Sequence, residues 1–241
     1  MYLKTVHVQN VKFDNYSMEE FLQIFEERLL NEEKTFVVTA NPEIVTKANT
    51  DPVYRETLNK ADFITADGIG VVIASKILKT PLKERVSGFD LMGKLLHKAE
   101  QLNLKVYLLG AKDTTLEKAY KNIKAKHPKI NIVGRHHGYI DIENEDLVTE
   151  IVDLKPDLIF VALGFPKQEY WITKHMHRFS KGLFIGLGGS FDVWAGEVKR
   201  APEIWIKLNL EWLYRLIQEP RRFKRMLVLP KFLIKVLVNR K

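Results

Sequence analysis

The chain has 241 residues, 46% of them hydrophobic and none of them cysteine, and carries a formal net charge of +8. That length suits one large domain or a domain with an appendage, and the lack of cysteine excludes disulfides and thiolate metal sites while fitting a reducing compartment. Of the 38 Lys and Arg residues, eight fall within residues 221–241, which hold no Asp or Glu, so the other 30 are matched by 30 acidic residues in a neutral body; a uniformly basic nucleic-acid binder does not look like this, and the neutral body and apolar tail face weigh against one that uses the tail alone.

The first residues, up to Ser17, contain no unbroken apolar run, so no secretory signal is expected. No window offers about 18 uncharged apolar residues, so no transmembrane helix is expected either. Ser17-Met18-Glu19-Glu20 is a capping box opening a helix to about Asn31. The β-branched run 35–39 then predicts a strand, broken by Asn41-Pro42, with short helices over 42–49 and 52–60. A strand at 63–66 ends on Asp67-Gly68, and a helix of small and branched residues runs to about Leu78. Ser87 caps a helix over roughly 88–102. From there the rhythm is regular: strand 104–109, helix 114–126, strand 130–134, helix 144–154, strand 157–163, helix 167–178, strand 183–187. Strands apolar on both faces, alternating with helices, predict an α/β fold with a mostly parallel, Rossmann-like sheet flanked by helices. Residues 1–196 are read as one such domain. From Ala201-Pro202 onward the pattern is helical, with breaks at Glu219-Pro220 and Pro230, so 197–241 form a basic helical appendage.

Ligands of open parallel sheets bind beyond the carboxyl ends of the strands. Those ends here are small and polar: Thr39-Ala40-Asn41-Pro42, Asp67-Gly68-Ile69-Gly70, Gly110-Ala111, Gly164-Phe165-Pro166-Lys167-Gln168-Glu169 and Gly186-Leu187-Gly188-Gly189-Ser190-Phe191-Asp192. Glycines there let backbone N–H groups approach an anion, so a phosphate-bearing ligand is indicated. Gly68-Ile69-Gly70 lacks the third glycine of a dinucleotide fingerprint. Gly188-Gly189-Ser190-Phe191-Asp192 lacks the last glycine of a nucleophile elbow, which argues against a serine hydrolase. His136 and His137 point to opposite faces of a strand, His175 and His177 cannot share a helix face, and no Asp-x-Asp occurs, so no metal site is expected.

Thr39-Ala40-Asn41-Pro42, Thr65-Ala66-Asp67-Gly68-Ile69-Gly70, Arg85-Val86-Ser87-Gly88, Gly164-Phe165-Pro166-Lys167-Gln168-Glu169 and Gly188-Gly189-Ser190-Phe191-Asp192 resemble, in order, motifs of the WecG/TagA/CpsF family, and Arg200-Ala201-Pro202 and Glu219-Pro220-Arg221-Arg222 extend the match into the tail. The resemblance implies an inverting, metal-independent glycosyltransferase of bacterial surface-polymer synthesis. Its best-known branch passes N-acetylmannosamine from a UDP donor to undecaprenyl-diphosphate-linked N-acetylglucosamine for the wall teichoic acid linkage unit. Other branches transfer N-acetylmannosaminuronic acid or other hexoses, and no cofactor is implied; the alternative to an enzyme is a non-catalytic, membrane-associated protein that keeps the nucleotide pocket, and an intact Asp67 weighs against it.

Inversion without a metal needs a base for the acceptor hydroxyl, contacts that place the sugar, and charge stabilisation on departing UDP. By spacing, Asp67 is either that base or the N-cap of the next helix; the resemblance implies the base. It also implies substrate contacts at Thr39, Asn41, Arg85 and Gln168, for which turn chemistry and a surface ion pair are the bland alternatives. Gly110, Tyr139 and Asp192 are expected at uracil and ribose, Tyr139 by stacking and Asp192 by accepting from uracil N3–H. Gly164, Gly186 and Gly188 complete the UDP side. Arg215, Arg222 and Arg225 stand where the resemblance suggests contacts to the diphosphate, and arginine suits that role.

In the tail, Phe223, Leu227, Pro230, Ile234 and Leu237 recur at helical spacing among Lys224, Arg225, Lys231 and Lys235. This is a pattern for lying in the plane of an anionic membrane, with a core-packing or partner-facing helix as the alternative. The expectation is therefore a cytoplasmic enzyme, peripheral on the inner face of the membrane through residues 221–241, with a UDP-sugar and a lipid-linked acceptor as partners, no nucleic acid, and room for a homo-oligomer.

Overall fold

The computed structural model describes residues 3–218 and 227–238, apart from the side chains of Lys207 and Arg215. The chain opens with a hairpin, β1 (Thr5–Val8) and β2 (Val11–Asp14), which the sequence analysis did not anticipate. Val8 pairs with Val11, so the turn is Gln9-Asn10, with Gln9 at φ 54°. Val6, Val8, Val11 and Phe13 are buried, and the Asp14 carboxylate accepts from the Ile64 N–H at 2.8 Å.

Then come α1 (Met18–Leu30), β3 (Lys34–Ala40), α2 (Pro42–Thr50), α3 (Pro52–Asn59), β4 (Phe63–Ala66), α4 (Ile69–Ile77) and α5 (Gly88–Gln101). The remainder of the sheet region comprises β5 (Lys105–Gly110), α6 (Asp113–Lys126), β6 (Asn131–His136), α7 (Glu145–Asp153), β7 (Leu158–Ala162), α8 (Lys167–His175), β8 (Gly182–Gly186) and α9 (Ser190–Trp194). Local signals explain the boundaries. Both bonds of the Ser17 capping box form. Asn41, Asp51 and Ser87 cap α2, α3 and α5 through their side chains.

The strands β3 to β8 form one six-stranded sheet in the order β4-β3-β8-β7-β5-β6. Every neighbouring pair is parallel, as the two-faced apolar strands predict. Alternate residues serve opposite faces. Phe36 and Val38 of β3, Tyr107 of β5 and Phe184 of β8 pack with the hairpin and with α2, α3, α4, α7 and α8. Val37, Leu108, Phe160 and Ile185 pack with α1, α5, α6 and α9 on the other side. This is the Rossmann-like α/β architecture, and it sets all six carboxyl ends along one edge.

The C-terminal segment supplies α10 (Glu203–Lys207), α11 (Glu211–Gln218) and α12 (Val228–Val238). Pro230 does not interrupt a helix; it lies in the first turn of α12, where no intrahelical donor is needed. On α12, Phe232 and Val236 are buried in the body's core, and Leu229 sits so close to Gly70 of α4 that a Cβ there would overlap it. Phe232→Ala is accordingly expected to lower stability by about 3 kcal/mol, the cost of a cavity at a buried aromatic site. A fall in the urea midpoint checks this.

Candidate functional site

A cleft of about 810 Å³ lies over the carboxyl edge of the sheet. Each of the six parallel strands contributes the residues just past its end: Asn41, Asp67, Ala111, Gly138, Leu163 and Leu187 respectively. The start of α5 supplies Arg85, Ser87 and Phe89, while Glu211, Trp212 and Leu229 reach it from the C-terminal segment. A second cleft of about 730 Å³ lies by α6, β6 and α7. Its Asp113, Glu117, Glu150 and Asp153 outnumber Arg135, so it is ill suited to a diphosphate.

Asp67 follows β4 directly. It does not cap α4; Gly68 is the capping residue, at φ 106°, with no side-chain cap bond. Instead Asp67 Oδ2 accepts from the Gly88 N–H at 3.3 Å. Arg85 stands beside it and is paired with Glu211 at 2.8 Å and with Asp90 at 3.9 Å. Burial alone would lower the Arg85 pKa, but the attraction of Asp67, followed by Glu211 and Asp90, outweighs it and raises the value. Arg85 is thus a fixed cation at the cleft, held among three carboxylates.

Thr39 and Asn41 line the cleft, but much of their hydrogen-bonding capacity serves the fold. Thr39 Oγ1 donates to the Gly186 carbonyl at 2.9 Å. Asn41 Oδ1 accepts from the N–H groups of Glu43 and Ile44, which leaves its Nδ2 as the donor for a ligand. Gln168, 3% exposed, donates from Nε2 to Glu169 at 2.7 Å and accepts at Oε1 from the Gly188 N–H at 2.9 Å.

The glycines divide. Gly164 and Gly188 line the cleft with positive φ and no atom near where a Cβ would be. Gly110 and Gly186 lie outside the lining. A Cβ at Gly110 would overlap the Ala162 backbone, and one at Gly186 would stand 2.6 Å from Gln168 Nε2. Their smallness serves the packing of the cleft wall. Tyr139 lines the cleft from the loop after β6, 70% exposed and with its ring edge-on to that of His137 at 6.5 Å between centroids, and Asp192 lines the cleft from α9. The side chain of Arg215 and all of Arg222 and Arg225 lie outside the described residues.

Several features were not anticipated from the sequence. Glu211 reaches Arg85 across 126 residues, a pairing no local pattern announces. Lys167 Nζ donates to the Ile140 carbonyl at 2.5 Å and so tethers the loop that carries Tyr139. Glu169 is wholly buried. Burial, partly offset by hydrogen bonds from Gln168 and the backbone, raises its pKa to about 7. Among the described residues, His97, Glu100 and His127 form one group with metal-ligand potential, outside the cleft lining. There Glu100 accepts from the Lys129 N–H, and His127 Nδ1 lies 3.3 Å from the Glu100 carboxylate.

The cleft brings together the Asp67 carboxylate, the Arg85 cation and the open glycine turns at Gly164 and Gly188. Residues 6–241 match the profile of the glycosyl transferase WecG/TagA/CpsF family. A protein of Bacillus spizizenii named N-acetylglucosaminyldiphosphoundecaprenol N-acetyl-beta-D-mannosaminyltransferase is 41% identical over 236 residues, which cover 98% of this chain and 91% of its own. One of the same name from Staphylococcus aureus is 43% identical over 233 residues, covering 96% and 91%.

Proposed function

The chain belongs to the WecG/TagA/CpsF family of glycosyltransferases, and on that premise we propose that it transfers N-acetylmannosamine from UDP-N-acetylmannosamine to undecaprenyl-diphosphate-linked N-acetylglucosamine, with inversion and without a metal. The observation that carries this reading is the placement of Asp67 beside Arg85 in a cleft built from all six strand ends.

The relatives' name specifies a β-linked product. From an α-linked UDP donor, β stereochemistry follows from one displacement at the anomeric carbon. Asp67 takes the proton of the acceptor hydroxyl as that oxygen bonds to the anomeric carbon, and the bond to the UDP oxygen breaks. Negative charge then grows on the departing diphosphate, where preorganised donors and cations are most effective. Arg85 is one such cation, and we assign the diphosphate contacts to Arg215, Arg222 and Arg225. Asn41 and Gln168, with Thr39 behind them, place the sugar. Gly164 and Gly188 open the backbone to UDP, Tyr139 stacks on uracil and Asp192 accepts from its N3–H, while Gly110 and Gly186 shape the wall.

We further assign residues 1–196 to catalysis and 197–241 to docking on the inner face of the cytoplasmic membrane, where a lipid-linked acceptor of wall teichoic acid type is found. No helix among the described residues is long and apolar enough to cross a membrane. The exposed side of α12 carries Ile234, Leu237 and Val238 beside Lys231 and Lys235, a composition fit for an anionic surface. A homo-oligomer is compatible with this arrangement.

The test is UDP release from UDP-N-acetylmannosamine with a soluble lipid-linked N-acetylglucosamine analogue, in EDTA. Sustained turnover is expected. Turnover with only a different UDP-hexose would reassign the donor, turnover abolished by EDTA would reject metal independence, and none with any donor would reject catalysis.

A further inference from the structure

Behind the cleft floor a buried polar relay runs from Gly188 through Gln168 to Glu169, and the proposed chemistry leaves Glu169 without a role. Glu169 has no exposed surface and accepts from Gln168 Nε2, and Gln168 Oε1 in turn accepts from the Gly188 N–H. The missing Cβ of Gly186 leaves room for the Gln168 amide. That room fixes where the amide lies but not which end faces the loop. Turned by half a rotation, it would set an NH2 against the Gly188 N–H, donor against donor. An acceptor beside Nε2 removes this ambiguity, and Glu169 Oε1 is that acceptor.

We infer that Glu169 is a positioning residue: by accepting from Gln168 Nε2 it holds the Gln168 carbonyl toward Gly188 and so fixes the Gly188-Gly189 turn at the UDP end of the cleft. The inference rests on the UDP-sugar reading given above. Burial disfavours the ionised form of Glu169, and a neutral carboxyl with its proton on Oε2 still presents Oε1 as an acceptor. Oε2 lies toward the buried Tyr54 hydroxyl, near enough for each group to perturb the other, though neither atom makes a hydrogen bond of normal geometry. Tyr54 itself packs edge-on against Phe165 and Tyr170, with ring centroids 5.2 and 5.9 Å away.

Three variants test this: Glu169→Gln, which keeps an acceptor oxygen; Glu169→Met, which keeps the bulk without one; and the exchange Gln168→Glu with Glu169→Gln, which keeps an acceptor for the Gly188 N–H and reverses the direction of the bond between positions 168 and 169. Donor KM and kcat are measured with amide exchange at Gly188. Glu169→Gln should stay within about threefold of wild type, whereas Glu169→Met should raise donor KM at least about tenfold with less effect on kcat, and speed Gly188 exchange by a similar factor. Folded Glu169→Met with wild-type KM and exchange would overturn the inference. So would Glu169→Gln behaving like Glu169→Met, since the carboxyl's charge or proton would then be what matters. Should Glu169→Met not fold, the exchange decides: it keeps a donor–acceptor pair between positions 168 and 169 and an acceptor for the Gly188 N–H, so Gly188 exchange should stay within about threefold of wild type, and exchange at least about tenfold faster overturns the inference. Inactivity of wild type would reject the UDP-sugar reading alone, and the exchange rates would still judge Glu169.

Discussion

Asp67→Asn is expected to lower turnover by about 10²–10⁴-fold, the range over which a positioned general base accelerates a proton-coupled displacement. The loss should fall on kcat more than on donor KM, because the substitution removes the basic oxygen while keeping the side chain's size and its acceptor for the Gly88 N–H. Asparagine matches aspartate in size, and its Oδ1 can accept from the Gly88 N–H as the carboxylate does. No helix cap is lost, since Gly68 occupies the capping position of α4. Arg85 keeps Glu211 and Asp90 as partners, so the cation stays in place. Near-wild-type UDP release from a folded Asp67→Asn protein would therefore remove Asp67 from the base's role outright.

The same geometry shows what a sequence can and cannot disclose. The parallel sheet was legible because β3, β5, β7 and β8 are apolar on both faces, a pattern that requires cover on both sides. From a parallel sheet follows the edge at which ligands bind, and nine of the anticipated residues line the cleft found there: Thr39, Asn41, Asp67, Arg85, Tyr139, Gly164, Gln168, Gly188 and Asp192. The N-terminal hairpin was missed although Val6, Val8, Val11 and Phe13 alternate. Two four-residue strands give too short a period to stand out, and Gln9-Asn10 is not among the strongest turn pairs. Gly110 and Gly186 show a different limit. A glycine at a strand end marks a place where something comes close, but not whether that something is a ligand or the protein's own Ala162 backbone and Gln168 amide. The Arg85–Glu211 pair shows a third, because it depends on where the C-terminal segment folds back, which periodicity does not encode.

That fold-back decides how membrane docking should be tested. The two readings of the tail, a helix for the membrane and a helix for the core, describe opposite faces of α12. Phe232 and Val236 are buried against the body, while Leu227, Ile234, Leu237 and Val238 are exposed. Deleting residues 221–241 would remove both faces at once and confuse lost docking with lost stability. The double substitution Ile234→Glu with Leu237→Glu touches only the outer face. Each change gives up roughly 1.5–3 kcal/mol of side-chain burial and adds a charge that an anionic surface repels by about 1 kcal/mol. Binding to vesicles rich in anionic lipid should therefore fall at least about 100-fold, with the melting temperature unchanged and turnover on a soluble acceptor analogue retained. Because Leu229, in the first turn of the same helix, packs on Gly70 just beyond Asp67, a docked α12 would hold Asp67, the proposed base, next to the surface that carries the acceptor. Undiminished vesicle binding by the double variant would show that α12 is a structural helix alone and that the acceptor reaches Asp67 by another face.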